Sequence, residues 1–218
     1  MSRTVVELGG VHFAYDGEPP VLRDCSLTLT AGEKAALVGP TGSGKTTLLH
    51  LVVGLLRPAA GRVVVFGRPR VKEADFYEVR GRVGLLFQTA DDQLFCPTVA
   101  EDVAFGPLNQ GKHRSEVREI VAATLQSLGL DGYQDRITYK LSGGEKRLVA
   151  LATVLAMQPE VLLLDEPTTG LDPQAEQRLV DVLAGLDQAM LVVSHDEGFR
   201  SRVTDATMEL SDGRVRKR

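Results

Sequence analysis

The run Gly39-Pro40-Thr41-Gly42-Ser43-Gly44-Lys45-Thr46 fits the spacing G-x-x-x-x-G-K-[ST] of a phosphate-binding loop. Its glycines let backbone amides curl around phosphate oxygens without a side-chain clash. Lys45 supplies a point charge for β- and γ-phosphates, and the Thr46 hydroxyl can ligate Mg²⁺. A helix beginning at the end of the loop adds the partial positive charge of its N-terminus. A second group of oxygens follows Val161-Leu162-Leu163-Leu164, an apolar strand that delivers Asp165 at its C-terminal end. Asp165 is expected to hold Mg²⁺ through water. Glu166 comes next, placed to orient or deprotonate an attacking water.

These side chains need a scaffold that brings separate strand ends together. Ala35-Ala36-Leu37-Val38, Val161–Leu164 and Met190-Leu191-Val192-Val193 are solidly apolar, as strands buried on both faces are. Thr98-Val99-Ala100-Glu101 and Ser142-Gly143-Gly144-Glu145 are capping boxes, where a hydroxyl and a carboxylate satisfy each other's orphan amides. The second starts a helix reaching about Met157, and Pro173 suits the first turn of another running to about Leu186. This alternation predicts an α/β fold, its mostly parallel sheet covered on both faces. Val5-Val6-Glu7-Leu8, Val11-His12-Phe13-Ala14-Tyr15 and Leu27-Thr28-Leu29-Thr30 read as strands of an antiparallel opening third. That opening and a helical middle, roughly residues 72–135, are expected as lobes on the sheet. Ser211-Asp212-Gly213-Arg214 reads as a terminal hairpin turn.

A length of 218 residues predicts one domain, and 43% apolar with 25% charged residues is a globular composition. Twenty-nine acids against 25 lysines and arginines leave a net charge of −4, which argues against a nucleic-acid partner. Cys25 and Cys96 make neither a disulfide framework nor a metal knuckle, as fits a reducing compartment. The longest apolar stretch, Leu148 to Leu164, is interrupted by Gln158-Pro159-Glu160. A spanning helix needs about 20 mostly apolar residues, so the chain is not expected to cross a bilayer by itself. His12, His50, His113 and His195 are too scattered for a transition-metal cluster. The basic end, Arg214, Arg216, Lys217 and Arg218, reads as a solvated, fraying tail that can also brush acidic lipid.

Leu141-Ser142-Gly143-Gly144-Glu145 resembles the signature motif of the ATP-binding-cassette (ABC) ATPases, and the other motifs of that family occur in family order. Tyr15 matches the aromatic that stacks on adenine, Gln88 the glutamine loop, Gly170-Leu171-Asp172 the D-loop and Ser194-His195-Asp196 the switch histidine. The resemblance spans about Val5 to Asp212. It implies an ABC-type phosphate-loop ATPase with an N-terminal antiparallel β subdomain and a helical subdomain at about residues 89–157, in one cassette over residues 1–218 without a sizeable C-terminal extension. ATP and Mg²⁺ are the implied cofactors. Tyr15, the loop from Gly39 to Thr46, and Thr47 would hold ATP. Thr46, Gln88 and Asp165 would hold Mg²⁺, and Glu166, His195 and Gln88 would act in hydrolysis. Ser142, Gly143, Gly144, Glu145 and Asp172 would serve the nucleotide of a second copy in a head-to-tail dimer, either a homodimer or a pair with a homologous ATPase.

The segment from Gln88 to Pro107 resembles the ATPases of energy-coupling-factor importers, above all the cobalt and nickel group. Thr89-Ala90 departs from the Asn-Pro often found there, and Cys96 is a small departure from the pattern. The resemblance implies a transmembrane coupling subunit, a substrate-binding membrane subunit, and a peripheral place on the cytoplasmic face of a prokaryotic membrane. Phe95, Pro97 and Phe105 are expected as an apolar floor for a coupling helix, with Asp91, Asp92, Glu101 and Asp102 as an acidic rim that pairs with its arginine. A vitamin such as biotin is the alternative cargo. A soluble ABC ATPase of DNA repair or translation is the other alternative. Against it stand a single cassette and the mere 95 or so residues between Thr46 and Leu141, too few for a long coiled coil.

Overall fold

Apolar runs bounded by turn residues become strands, and capped amphipathic runs become helices, in the structure, a computed structural model that describes residues 3–218. The elements run β1 (Thr4–Phe13), β2 (Leu22–Thr30), β3 (Lys34–Val38), α1 (Lys45–Val53), β4 (Ala60–Val65) and β5 (Arg68–Pro69). There follow α2 (Phe76–Arg82), β6 (Val83–Leu86), α3 (Val99–Asn109), α4 (Arg114–Ser127), α5 (Gly143–Leu155) and β7 (Val161–Asp165). The chain closes with α6 (Pro173–Ala184), β8 (Ala189–Val193), α7 (Glu197–Val203), β9 (Ala206–Ser211) and β10 (Arg214–Lys217).

Two sheets result. Four antiparallel strands pair in the order β2-β1-β4-β5, and six in the order β10-β9-β3-β8-β7-β6. In the larger sheet only β10 runs antiparallel. The expected α/β architecture is therefore present, with three differences in detail. The two opening runs form a single strand, because the register shift at Gly9 and Gly10 is absorbed as a bulge with Gly10 at φ 59°. The stretch expected to be helical from residue 72 is split by β6, which joins the larger sheet beside β7. The basic tail does not fray: β10 pairs along β9, with Lys217 on Glu33 at 2.9 Å and Arg218 on Glu209 at 2.8 Å. The expected hairpin turn joins them, with Asp212 and Gly213 both at positive φ.

Alternation along β7 and β8 decides where the cores sit. Val161, Leu163, Ala189, Leu191 and Val193 face a core shared with α1 and the antiparallel sheet. Leu162, Leu164, Met190 and Val192 face the other core, shared with α3, α4, α5, α6 and α7. All ten residues of the two strands are buried. Each fully buried leucine contributes about 1.5–3 kcal/mol. Gly84 on β6 lets α5 close on the sheet, since a Cβ there would lie 2.3 Å from Val154. The sheet order also sets the site: β3, β8 and β7 are neighbours and parallel, so the loops that leave their C-terminal ends lie side by side.

Candidate active site and docking groove

Three loops meet at that edge. The phosphate loop leaves β3, Asp165 and Glu166 leave β7, and Ser194 and His195 leave β8. A cleft of about 300 Å³ is lined by Tyr15, Thr41, Gly42, Gly44, Lys45, Thr46, Thr47, Gln88, Asp165, Glu166 and His195. Gly39 and Pro40 line a different depression and turn their carbonyls to Lys45, whose Nζ donates to them at 2.8 and 2.9 Å. Gly44 caps α1 at φ 100°, and a Cβ there would lie 2.6 Å from Val21, so only glycine fits the turn. Burial lowers the Lys45 ammonium, while Glu166 and Asp165 pull it back up.

Asp165 is 2% exposed and accepts a 2.5 Å hydrogen bond from the Thr46 hydroxyl. Burial raises its carboxyl above the usual carboxylate range, against the pull of Thr46, His50, Arg147 and Lys45. Glu166 stands at φ 50°, a left-handed conformation uncommon for a residue with a side chain. Its amide donates to the Val193 carbonyl at 2.8 Å, and its Oε2 accepts from the His195 amide at 3.3 Å. Its Oε1 is buried without a hydrogen-bond partner, 3.5 Å from His195 Nε2. The Tyr15 ring is half exposed, packs edge-on against Phe13 at 4.9 Å, and places its hydroxyl 2.9 Å from Thr47 Oγ1. The Ser43 hydroxyl is a second buried polar atom without a partner beside the loop. Two oxygen donors in contact, Thr46 and Asp165, with Gln88 on the same wall, suit a hard oxygen-seeking cation such as Mg²⁺.

The signature residues lie elsewhere. Ser142, Gly143, Gly144, Glu145 and Asp172 line a separate depression that shares no residue with the cleft. Ser142 caps α5, with its hydroxyl and amide both 2.8 Å from Glu145 Oε2. The Tyr133 hydroxyl donates to Glu145 Oε1 at 2.6 Å and Arg136 reaches it at 3.1 Å, so the carboxyl is held down to about 2. Gly144 approaches the Gly170 carbonyl so closely that a Cβ would lie 2.8 Å from it. Asp172 caps α6 by accepting from the Gln174 and Ala175 amides at 2.9 Å.

A third surface flanks Gln88. Leu85 and Phe87, just before it in the chain, line an apolar groove with Leu55, Phe95, Phe105 and Met157. Phe95 and Phe105 are exposed and pack edge-to-face at 4.8 Å. The expected rim needs correction. Asp102 is 2% exposed: its Oδ1 accepts from the Phe95 and Cys96 amides at 3.1 and 3.0 Å, and its Oδ2 has no partner. Asp91 is engaged by Lys146 at 2.5 Å, and Glu101 is turned to its capping box with Thr98. Pro97 lines a neighbouring depression with Tyr139 and not the groove. Asp92 remains exposed.

Sequence reasoning missed two side chains. His50 on α1 lies beside Phe87, with ring centroids 5.8 Å apart and planes tilted by 54°, and acts electrostatically on Asp165. Arg147 is buried against the backbone of both the Gln88 and the Glu166 segments. The available signal was an arginine set against the apolar run Leu148-Val149-Ala150-Leu151 of a buried helix.

The sequence matches the family model described as ABC transporter over residues 22–169. The energy-coupling factor transporter ATP-binding protein EcfA of Methanothermobacter thermautotrophicus is 41% identical over 215 residues, covering 97% of this chain and 69% of that one. Among solved structures, cbiO1 of Clostridium perfringens, part of the ABC transporter complex cbiONQ, superposes with a TM-score of 0.84 at 32% identity, covering 98% of this chain and 87% of that one. The dimeric ATP-binding cassette MJ0796, in a post-hydrolysis state bound to ADP and Pi, superposes with a TM-score of 0.90 at 26% identity, covering 98% and 97%. No helix among the described residues is long and apolar enough to cross a membrane.

Proposed function

The chain belongs to the ABC transporter family and is an ATPase, and from that premise we propose that it is the ATP-hydrolysing subunit of an energy-coupling-factor importer for cobalt or nickel ions. One arrangement carries the proposal. The stretch that leaves β6 places Gln88 in the nucleotide cleft, and the same segment walls the apolar groove through Leu85 and Phe87. A membrane partner seated in that groove is thereby one residue from the site of hydrolysis. The likeness to EcfA and to cbiO1 supports this class of transporter.

In this proposal the loop amides and Lys45 hold the phosphates, and Tyr15 with Thr47 fixes the adenosine end. Thr46, Asp165 and Gln88 would hold Mg²⁺, which when bound would offset the negative charge of the nucleotide's phosphates. Glu166 orients the attacking water and takes its proton, and its buried, unpartnered Oε1 is the atom free to do so. His195, beside Glu166, reaches the γ-phosphate. The separation of the cleft from the Ser142 depression supports a head-to-tail dimer, in which each signature caps the partner's nucleotide. The groove accepts a coupling helix, and the exposed Asp92 is the acid left at the surface of this lobe to pair with its arginine. The chain works at the cytoplasmic face of the membrane through such partners.

The test is uptake by liposomes carrying the protein with its coupling and substrate-binding subunits. ATP-dependent accumulation of radioactive cobalt or nickel, lost in Glu166→Gln, is expected. Accumulation of biotin and not of metal would overturn the cargo. An ATPase rate unchanged in Glu166→Gln would overturn the role of that carboxylate.

A further inference from the structure

Arg147 lies five residues after Ser142 in the sequence, on α5, and is 3% exposed. Its guanidinium donates to main-chain carbonyls from two separate segments. Phe87 and Gln88 (3.1 Å) belong to the stretch leaving β6. Asp165, Glu166 (2.5 Å) and Pro167 (3.4 Å) belong to the stretch leaving β7. The Asp165 and Glu166 carboxylates act on it only through space. Burial lowers the guanidinium to about 10, so it stays charged at neutral pH.

A buried cation is costly unless its donors are satisfied, and a hydrophobic residue of similar volume is often as good for stability. The physical use of this arginine therefore lies in its geometry. A guanidinium presents five donors in one rigid plane, enough to fix two backbone segments relative to each other. One of those segments includes Glu166, whose φ of 50° requires support from its surroundings. The Glu166 amide is tied to Val193 and its carbonyl to Arg147, so the turn is held from both peptide ends.

We propose that Arg147 is a positioning residue for hydrolysis: it fixes the strained Glu166 turn to the Gln88 segment and to the helix that begins with the signature. An event at Ser142 or in the groove is then transmitted to the Glu166 carboxylate through one rigid group. The proposal rests on the roles assigned above to Glu166 and Gln88, and it goes beyond them by naming what holds the two in register.

The experiment uses the full chain, steady-state hydrolysis of Mg-ATP, and binding of a fluorescent ATP analogue. Arg147→Lys keeps the charge and the aliphatic stem but offers its donors from a single nitrogen. Arg147→Met keeps volume and offers none. Arg147→Lys is expected to fold with a thermal midpoint within a few degrees of wild type and to bind the analogue within twofold. Its kcat should fall roughly 10- to 100-fold with KM nearly unchanged, as a small displacement of a reacting group allows. Arg147→Met should fall at least as far. Wild-type kcat in Arg147→Lys would overturn the proposal. So would failure of Arg147→Lys to fold, or losses of ATP binding and thermal stability that match the loss of kcat, because these assign the residue to core stability. Glu166→Gln separates the two levels: turnover retained there sinks the Glu166 assignment, whereas its loss beside a fully active Arg147→Lys sinks the Arg147 proposal alone.

Discussion

Replacing Glu166 by glycine should make the nucleotide-free protein more stable while removing its turnover. A residue with a Cβ held at φ 50° costs about 1–2 kcal/mol, and glycine removes that cost. Against this, glycine has more freedom in the unfolded chain, a loss of about 0.5–1 kcal/mol. The buried, unpartnered Oε1 disappears, recovering about 1–3 kcal/mol of desolvation. The acceptor of the His195 amide at 3.3 Å is lost, at about 0.5–1.5 kcal/mol. The sum is a stabilisation of about 1–2 kcal/mol, against the usual direction of point substitutions. For a chain of this size that raises the thermal midpoint by roughly 2–8 °C. Glu166→Ala keeps the backbone strain and should fall below Glu166→Gly by about 0.5–1 kcal/mol. Both should lose about 10²–10⁴ in kcat. Urea and thermal unfolding in the absence of nucleotide, with phosphate release as the activity readout, check all four numbers. A Glu166→Gly protein less stable than both wild type and Glu166→Ala would refute the strain argument.

The groove and the signature yield three more expectations. Asp102→Asn retains an acceptor for the Phe95 and Cys96 amides, so its stability should fall by only about 1 kcal/mol. Its co-purification with the coupling subunit should be unchanged, because the carboxylate lies inside the lobe. Asp92→Lys, on the exposed side, should weaken assembly mainly at low salt and spare nucleotide binding; full co-purification of this variant at low salt would count against docking on this face. Glu145 has its carboxyl held at about 2 by the Tyr133 hydroxyl, the Ser142 amide and hydroxyl, and Arg136. A depressed carboxyl contributes stability above its unfolded value of 4.5, and that stability is lost as pH falls toward 2. Glu145→Gln should therefore flatten the fall in urea midpoint between those pH values, and an unchanged slope would contradict the hydrogen-bond geometry.

Local chemistry was legible because short-range physics governs it. The phosphate loop needs its glycines whatever surrounds it, and Gly44 at φ 100° shows the requirement directly. The Thr98 and Ser142 capping boxes close within four residues, and both form as read. Period and apolar continuity identified β3, β7 and β8 because burial on both faces leaves polar residues only at the strand ends, Lys34 on β3 and Asp165 on β7. β4 was not identified: it opens with Ala60-Gly61-Arg62, all exposed, and only its pairing with β1 makes it a strand.

Side-chain burial on the lobe was not legible, because residue type does not say which of four neighbouring acids turns inward. Asp102 is buried because two loop amides need an acceptor, and those amides come from chain that folds back over α3. The sequence by itself therefore determined the set of groups that can handle a nucleotide and the strands and helices that carry them. Only the tertiary structure decided that β3, β8 and β7 lie side by side, that the Ser142 depression lies apart from the cleft, and that Arg147 ties Gln88 to Glu166. Those relations join residues far apart in the chain, Thr46 and Asp165 being separated by 119 positions, and nothing in local backbone preference encodes contacts over that distance.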